Sequence, residues 1–137
     1  MDAIFTRLGA RDNIICGEST FNIECLETSS LLRQATSRSL VILDELGRGT
    51  STFDGYALAY ASFRYISERL RCRCLFSTHY HYLTKEFESS AFLGHMAFKE
   101  NEATNQISFL YRLTEGVSKK SYGLEVTTYG ALFKTLM

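Results

Sequence analysis

Several features that define other protein classes are missing from this sequence of 137 residues. It contains no apolar run of membrane-spanning length and no secretory signal at its start, so we expect neither a membrane segment nor export. The formal net charge is zero, which gives no sign of a nucleic-acid-binding surface. The four cysteines include no C-x-x-C pair. This spacing argues against a zinc cluster, and without an export signal we expect free, mostly buried thiols.

A glycine-rich phosphate-binding loop is missing as well. No G-x-x-x-x-G-K-[ST] occurs in the sequence, so the chain lacks the backbone cradle and the lysine that hold β- and γ-phosphates in P-loop proteins. What remains is the composition of a folded globular protein, with 45% hydrophobic and 22% charged residues. Its length suits one domain.

The most informative stretch covers residues 40–55. It opens with four consecutive apolar residues, LVIL, which predict a short strand buried on both faces of a parallel sheet. Asp44 and Glu45 follow at the carboxyl end of this strand, where ligands bind in open α/β sheets. In nucleotide hydrolases such a pair holds magnesium and positions the attacking water, so Asp44 is a candidate metal ligand and Glu45 a candidate catalytic residue. From these residues alone, a buried strand whose acidic end merely begins a turn remains an alternative.

Longer motifs occur along the chain in a fixed order: IFTRLGA at 4–10, GESTF at 17–21, LDELGRGTSTFDG at 43–55, THYH at 78–81 and SYGL at 121–124. Together they closely resemble the ATPase domain of the MutS family of DNA mismatch-repair proteins, most strongly its eukaryotic members. The resemblance covers nearly the whole chain. We therefore predict that residues 1–126 are the C-terminal part of a MutS-type ATPase domain and that 127–137 are a divergent tail.

The resemblance implies an α/β fold. The chain would be part of an ABC-type P-loop NTPase domain, with a mostly parallel sheet flanked by helices and a β-hairpin near the C-terminus. It also implies ATP and Mg2+ as cofactors, with Asp44 and Glu45 as the Walker B pair. The parent protein would recognise mismatched double-stranded DNA through upstream domains, form a heterodimer with another MutS-family subunit, and act in the nucleus. Because the phosphate-binding loop is missing, we expect these residues to be inactive as an ATPase on their own.

Two further segments are expected to face a nucleotide bound by the partner subunit. GESTF resembles the trans-acting loop of the family, which makes Ser19 the candidate contact of the γ-phosphate and Thr20 a further candidate nucleotide-binding residue. Hydroxyl groups and free N–H groups at a helix start favour phosphate, although an ordinary helix N-cap is the alternative for these residues. The loop after Glu45 would add Gly49, Thr50 and Ser51 to this surface, with glycine allowing close backbone approach.

His79 ends the next predicted strand, residues 72–78, and the resemblance implies that it senses the γ-phosphate. In related ATPases the strand that carries the phosphate-binding loop lies beside this strand, so we expect residues 75–77 to form an exposed edge. His79 and His81 lie on one face of an extended chain, which leaves a metal-dependent hydrolase as a weaker alternative.

The remaining pattern predicts a helix at 2–11, an amphipathic helix at 23–35 with Leu26 and Leu31 facing the core, and helices at 55–70 and 83–88. Strands around 96–99 and 107–113 would form the hairpin, their aromatic side chains packing in a core and across the two strands rather than stacking on bases. Two other functions stay open. The chain could be a non-catalytic module that completes a partner's ATP site, or a fragment of another ABC-type or chromosome-maintenance ATPase.

Overall fold

The computed structural model describes residues 1–9, 20–101 and 106–118, without the side chains of residues 100, 101 and 106. It divides into a first compact unit, Met1–Leu83, and a second that begins at Thr84. In chain order the elements are β1 (Ile4–Arg7), α1 (Thr20–Gln34), β2 (Leu40–Asp44), α2 (Thr52–Tyr65), a π-helical turn (Ile66–Leu70), β3 (Arg73–Ser77), α3 (His81–Glu86), β4 (Gly94–Asn101) and β5 (Gln106–Glu115).

A three-stranded parallel sheet in the order β1-β2-β3 organises the first unit. β2 is its central strand and pairs with β1 on one side and with β3 on the other, its last pair being Asp44 with Ser77. Among the described residues β3 pairs with no second strand, and Leu75 on it is 61% exposed, as predicted for an edge. The α/β class, the parallel sheet and the predicted hairpin are confirmed.

The helix predicted over residues 2–11 is wrong, because Ile4–Arg7 form the strand β1. Ile4, Phe5 and Leu8 fit the spacing of a helix, but so short a segment also fits a strand whose alternate side chains point inward. Pairing with β2 along Ile4–Arg7 decides between the two, since it supplies hydrogen-bond partners to the backbone groups that face β2. That partner strand is distant in sequence, so local periodicity carries no sign of it.

The core of the first unit joins α1, β2 and the π-helical turn. Its buried side chains are Leu31, Ala35, Val41, Leu43, Leu46 and Ile66, and Phe5, Leu58 and Phe76 are among those packed against it. In β2, Val41 and Leu43 are fully buried whereas the alternate residues are half-buried. The prediction of a strand buried on both faces is therefore fully confirmed for the face that carries Val41 and Leu43, whereas the opposite face is half-buried.

Helix α1 exists where a helix was predicted, but its inward face is partly polar. Glu24, Thr28 and Leu31 are buried, whereas Leu26 is 57% exposed. The buried positions follow helical spacing along one side, and Leu26 lies off that side. The sequence pattern therefore placed Leu31 correctly and Leu26 wrongly.

The helix predicted over residues 55–70 is present as α2 followed by the π-helical turn. Ser51 caps α2, since its hydroxyl oxygen accepts a hydrogen bond from the Asp54 backbone N–H at 3.2 Å. The π-helical turn ends at Arg71, whose φ of 52° closes it in the left-handed region. A T-shaped contact between Phe63 and Phe76, with ring centroids 5.2 Å apart, packs α2 on β3.

The second unit contains the antiparallel hairpin of β4 and β5, with a register shift between Met96 and Phe98. The predicted core packing of its alternating side chains is wrong within the described residues, because Phe109, Tyr111 and Leu113 are all exposed. The predicted cross-strand packing agrees with the register, which pairs Phe98 with Phe109 and Met96 with Leu113. The short helix predicted at 83–88 is α3, which begins two residues earlier.

Three described cysteines, Cys25, Cys72 and Cys74, are free, and they are half-buried rather than buried. Burial raises the pKa of Cys74 to about 12. Cys16, the SYGL motif and the tail at 127–137 lie outside the described residues. None of the helices that the structure describes is both long and apolar enough to cross a membrane.

Asp2 makes the attachment of the N-terminus sensitive to acid. Hydrogen bonds from the Thr36 hydroxyl and the Ser39 hydroxyl, the latter at 2.9 Å, lower the pKa of the Asp2 carboxyl from 3.8 to about 2. A carboxyl with a lowered folded-state pKa stabilises the fold above its unfolded value and loses that effect as the pH falls through the folded value. We expect the wild type to resist urea better than Asp2→Asn near neutral pH, and the two to converge as the pH approaches 2. A difference that stays constant over this range would contradict the assignment.

Candidate functional site

Asp44 and Ser77 lie side by side where β2 and β3 end. They are register partners in the parallel ladder, and the Ser77 hydroxyl donates a hydrogen bond to Asp44 Oδ1. Because parallel strands end at the same edge of the sheet, their last side chains meet there. A carboxylate and a hydroxyl are oxygen donors of the kind that Mg2+ takes, and Mg2+ commonly needs only one or two carboxylates beside water and phosphate oxygens. The residues present therefore fit a magnesium ion.

Glu45 leaves the strand in a left-handed turn. Its φ of 52° is unusual for a residue other than glycine, and its N–H still donates to the Ser77 carbonyl at 3.1 Å. The carboxylate, 24% exposed, contacts two cationic or ionisable groups: its Oε1 meets His79 Nε2 and its Oε2 meets Arg48 Nη1. One carboxylate is thereby held in a single orientation at the edge of the sheet, next to Asp44.

His79 lies directly after β3 and is accessible from outside, with 79% of its side chain exposed. The structure thus brings together Asp44, Glu45 and His79 from two neighbouring strand ends. Arg48 pairs with the Glu45 carboxylate although 72% of the arginine side chain is exposed. Within the described ranges, no group of three or more His, Cys, Asp or Glu side chains is placed to hold a metal ion.

The loop after Glu45 packs against the start of α1. A Cβ added to Gly49 would lie 3.4 Å from the Phe21 backbone nitrogen, in the first turn of the helix that begins at Thr20. Two of the predicted nucleotide-binding segments, the one with Thr20 and the one with Gly49 and Thr50, are therefore neighbours. Ser19 lies outside the described residues, so its predicted role stays a prediction.

Ser51 has a structural partner that the sequence had not assigned. Its hydroxyl donates to Asp54 Oδ2 at 2.8 Å and accepts from the Asp54 backbone N–H, so it caps α2. A cap of this kind typically contributes about 1 kcal/mol to helix stability. The hydroxyl that was assigned to a nucleotide is thus engaged within the chain.

Sequence reasoning missed two residues that hold this loop, Glu24 and Tyr80. The Gly47 N–H donates to Glu24 Oε1 at 3.0 Å, and the Tyr80 hydroxyl donates to the Gly47 carbonyl at 3.0 Å. Glu24 is 3% exposed and lies 3.8 Å from Arg7, which is itself buried and also reaches Glu27 at 2.9 Å. The signal in the sequence that could have identified Glu24 is its position on the same side of α1 as Thr28 and Leu31.

Gly47 is also in close backbone contact with α2. Its φ is +91°, and a Cβ there would lie 2.3 Å from the Gly55 carbonyl oxygen. A Cβ on Gly55 would meet the Gly47 carbonyl oxygen at 2.0 Å and the Tyr80 hydroxyl at 2.2 Å. Both positions therefore need glycine, because no side chain fits between the loop and the helix.

Comparison with known proteins agrees with the motifs. Residues 1–136 match the family model of MutS domain V. DNA mismatch repair protein MSH7 of Arabidopsis thaliana is 56% identical over 136 residues, covering 92% of this chain and 12% of that protein. Msh6 of Gallus gallus is 55% identical over 130 residues (90% of this chain, 10% of that protein). MutS of Orientia tsutsugamushi (strain Ikeda) is 46% identical over 132 residues (96% and 15%).

The chain therefore spans a small part of each of these relatives, while they cover nearly all of it. A family model that matches almost the full length, together with such identities, confirms the resemblance seen in the motifs. The chain belongs to the MutS family of DNA mismatch repair proteins.

Proposed function

We propose that this chain supplies the Walker B carboxylates and the switch histidine of a MutS-type ATPase site that serves DNA mismatch repair. The observation that carries the proposal is the meeting of Asp44, Glu45 and His79 at the ends of two adjacent parallel strands. Ligands of open α/β sheets bind at this edge. On this proposal the fold is part of an ABC-type P-loop domain, and the phosphate-binding loop comes from outside these 137 residues.

Each residue of the group has a role that fits its contacts. Asp44, supported by the Ser77 hydroxyl, would hold magnesium, which when bound neutralises phosphate charge and orients the phosphates. Glu45 would orient the attacking water and draw off its proton. His79 and Arg48 hold the Glu45 carboxylate in place from two sides, which fixes the geometry that catalysis needs.

His79 would report the state of the nucleotide. Its imidazole is exposed and touches Glu45, so the same ring lies beside the catalytic carboxylate and within reach of solvent. A histidine in this place donates a hydrogen bond to a phosphate oxygen with one nitrogen while the other fixes its ring. Loss or gain of the γ-phosphate would then directly change the contact between His79 and Glu45.

A second surface would contact the nucleotide of a partner subunit. It would consist of Ser19, which lies outside the described residues, of Thr20 at the start of α1, and of Gly49, Thr50 and Ser51 in the loop. The packing of Gly49 on Phe21 supports it. The partner would be another MutS-family subunit in a heterodimer, the mismatched DNA would be bound by other domains, and the site of action would be the nucleus.

Replacing Glu45 with glutamine tests the proposed catalytic role. With the chain added to an intact MutS-family subunit, we expect the ATP turnover that the chain contributes to fall by about 100-fold or more, since a general base is lost. Binding of ATP and magnesium, measured by calorimetry on the same mixture, should not weaken, because the amide is nearly the same size and lacks the negative charge.

Glu68→Gln is the matched control, since Glu68 is an exposed carboxylate that pairs with Arg64 away from the site. It should leave turnover unchanged. If Glu45→Gln had no effect while Ser19→Ala abolished the stimulation, the catalytic assignment would be wrong. The chain would then act as the non-catalytic module that completes a partner's ATP site.

A further inference from the structure

The backbone of Gly47 is held at its N–H and at its carbonyl by two side chains to which the sequence motifs gave no role. The Glu24 carboxylate accepts the Gly47 N–H, and the Tyr80 hydroxyl donates to the Gly47 carbonyl, each at 3.0 Å. The backbone of Gly55 closes a third side. We refer to Glu24, Gly47 and Tyr80 as the Gly47 clamp. The clamp restricts rotation of the backbone at Gly47, which lies two positions after Glu45.

The clamp connects three elements of the proposed site. Glu24 is one helical turn after Thr20 in α1, and Tyr80 directly follows His79. Gly47 belongs to the turn that carries Glu45 and Arg48, where the Arg48 N–H donates to the Glu45 carbonyl at 3.3 Å. A shift of either the helix start or the His79 segment therefore acts on the backbone of the same residue, and through it on the Glu45 turn.

The charge on Glu24 makes this connection strong. A hydrogen bond from a backbone N–H to an ionised, buried acceptor is roughly twice as strong as one between neutral groups. Arg7 lies 3.8 Å away and compensates the buried charge. Glu24 Oε2 has no hydrogen-bond partner among the described residues and would lie 3.5 Å from a Cβ on Gly49, so the carboxylate fills the space beneath the loop. Burying a carboxylate with one oxygen unpaired is costly, which indicates a positional role for this residue.

Tyr80 is placed by packing as well as by its hydrogen bond. Its ring makes a T-shaped contact with Tyr56, with centroids 5.8 Å apart. Burial, followed by the negative charge of Glu24, raises the pKa of its hydroxyl, so the phenol stays protonated and remains a donor. The ring contact would survive loss of the hydroxyl, which makes Tyr80→Phe a selective change.

We propose that Glu24 and Tyr80 are positioning residues that hold the backbone of Gly47 and thereby keep Glu45 against His79. This inference rests on the proposed function for its consequence in ATP turnover, but the clamp itself can be observed without nucleotide. Through the clamp, the start of α1, which faces a partner's nucleotide, is coupled to the carboxylate that acts on this chain's own site.

The test compares Tyr80→Phe and Glu24→Gln with the matched control Glu27→Gln in the full 137-residue chain by NMR. Glu27 is on the same helix and pairs with the same arginine, but it is not part of the clamp. We expect amide exchange at Gly47 to accelerate by about 5- to 10-fold in Tyr80→Phe, the equivalent of one lost hydrogen bond. The His79 ring resonances should shift in both clamp variants, and Glu27→Gln should change neither signal.

Turnover supplies the second readout, in the mixture with an intact MutS-family subunit. Each clamp variant should lower kcat by about 10-fold while KM for ATP stays within about twofold, as expected when a supporting group is lost and the binding groups remain. If Gly47 exchange accelerates but the His79 resonances and kcat do not change, the clamp is structural only and the proposal is overturned.

Failure of the clamp and failure of the proposed function give different results. Should the wild-type chain contribute no turnover, the proposed function fails, whereas the Gly47 and His79 signals still decide whether the clamp holds Glu45. Unchanged Gly47 exchange in Tyr80→Phe would overturn the clamp even in a fully active mixture. Glu24→Gln could fail to fold, because Arg7 loses its buried partner. In that case the result for Tyr80→Phe alone decides whether the clamp holds Glu45.

Discussion

Replacing Gly47 with alanine should lower the free energy of unfolding of the first unit by about 3 kcal/mol or more. Two causes add up. The φ of +91° disfavours any residue with a Cβ, and that Cβ would stand 2.3 Å from the carbonyl oxygen of Gly55 and 2.6 Å from its Cα. Both neighbours are backbone atoms, so relief requires the loop and the start of α2 to move apart. Urea denaturation followed by circular dichroism measures the loss.

Gly9→Ala is the matched control for this experiment. Gly9 also has a positive φ, +60°, but a Cβ there would have nothing within 4 Å. Gly9→Ala should lower the free energy of unfolding by only about 1 kcal/mol, the cost of a positive φ for a residue with a Cβ. Equal losses in the two variants would contradict the close approach of Gly47 to Gly55 and leave backbone conformation as the sole cause.

Leu43→Ala should destabilise the first unit by about 2 to 5 kcal/mol, the range found when a buried leucine is truncated in a close-packed core. Leu43 is 1% exposed, lies in the central strand and belongs to the buried cluster that joins α1 to the π-helical turn. It also directly precedes Asp44, so the cavity would open next to the proposed site. The measurement is the same urea titration, combined with amide exchange of β2 to locate the loss.

Leu26→Ala makes the same chemical change on the outer side of α1, where the side chain is 57% exposed. A change of about 0.5 kcal/mol or less is expected, because little apolar surface is uncovered. A large effect at this position would show that Leu26 is buried in solution, as the helical pattern of the sequence predicted, and the orientation of α1 would need revision.

The carboxylate pair was predictable because its neighbours carry a strong local signal. Four apolar residues before Asp44 require burial, and burial of so short a segment implies a strand within a sheet. The parallel sheet follows from strands separated by helices, since a parallel crossover needs a helix-sized connection. These steps use neighbouring residues and periodicities, so no knowledge of distant contacts is required.

The clamp could not be predicted in the same way. The amphipathic pattern predicted at 23–35 gives no reason to bury Glu24, because a glutamate is almost always exposed unless it is paired. Its partners are a backbone N–H and an arginine from elsewhere in the chain, and neither leaves a pattern in the sequence around it. Ser51 is the opposite case. A serine three residues before an aspartate at a helix start is a sequence signal for an N-cap, but the family motif led to the prediction that Ser51 binds nucleotide.

The amino-acid sequence by itself determined the family, the strand that ends at Asp44 and Glu45, and the α/β class, because these follow from motifs and from local burial. The tertiary structure alone decided that Ile4–Arg7 are a strand, and that Glu24 and Tyr80 meet at Gly47. Four residues fit a helix or a strand equally well until a neighbouring strand supplies hydrogen bonds. A buried carboxylate is likewise stable only where the folded chain brings an N–H and an opposite charge to it.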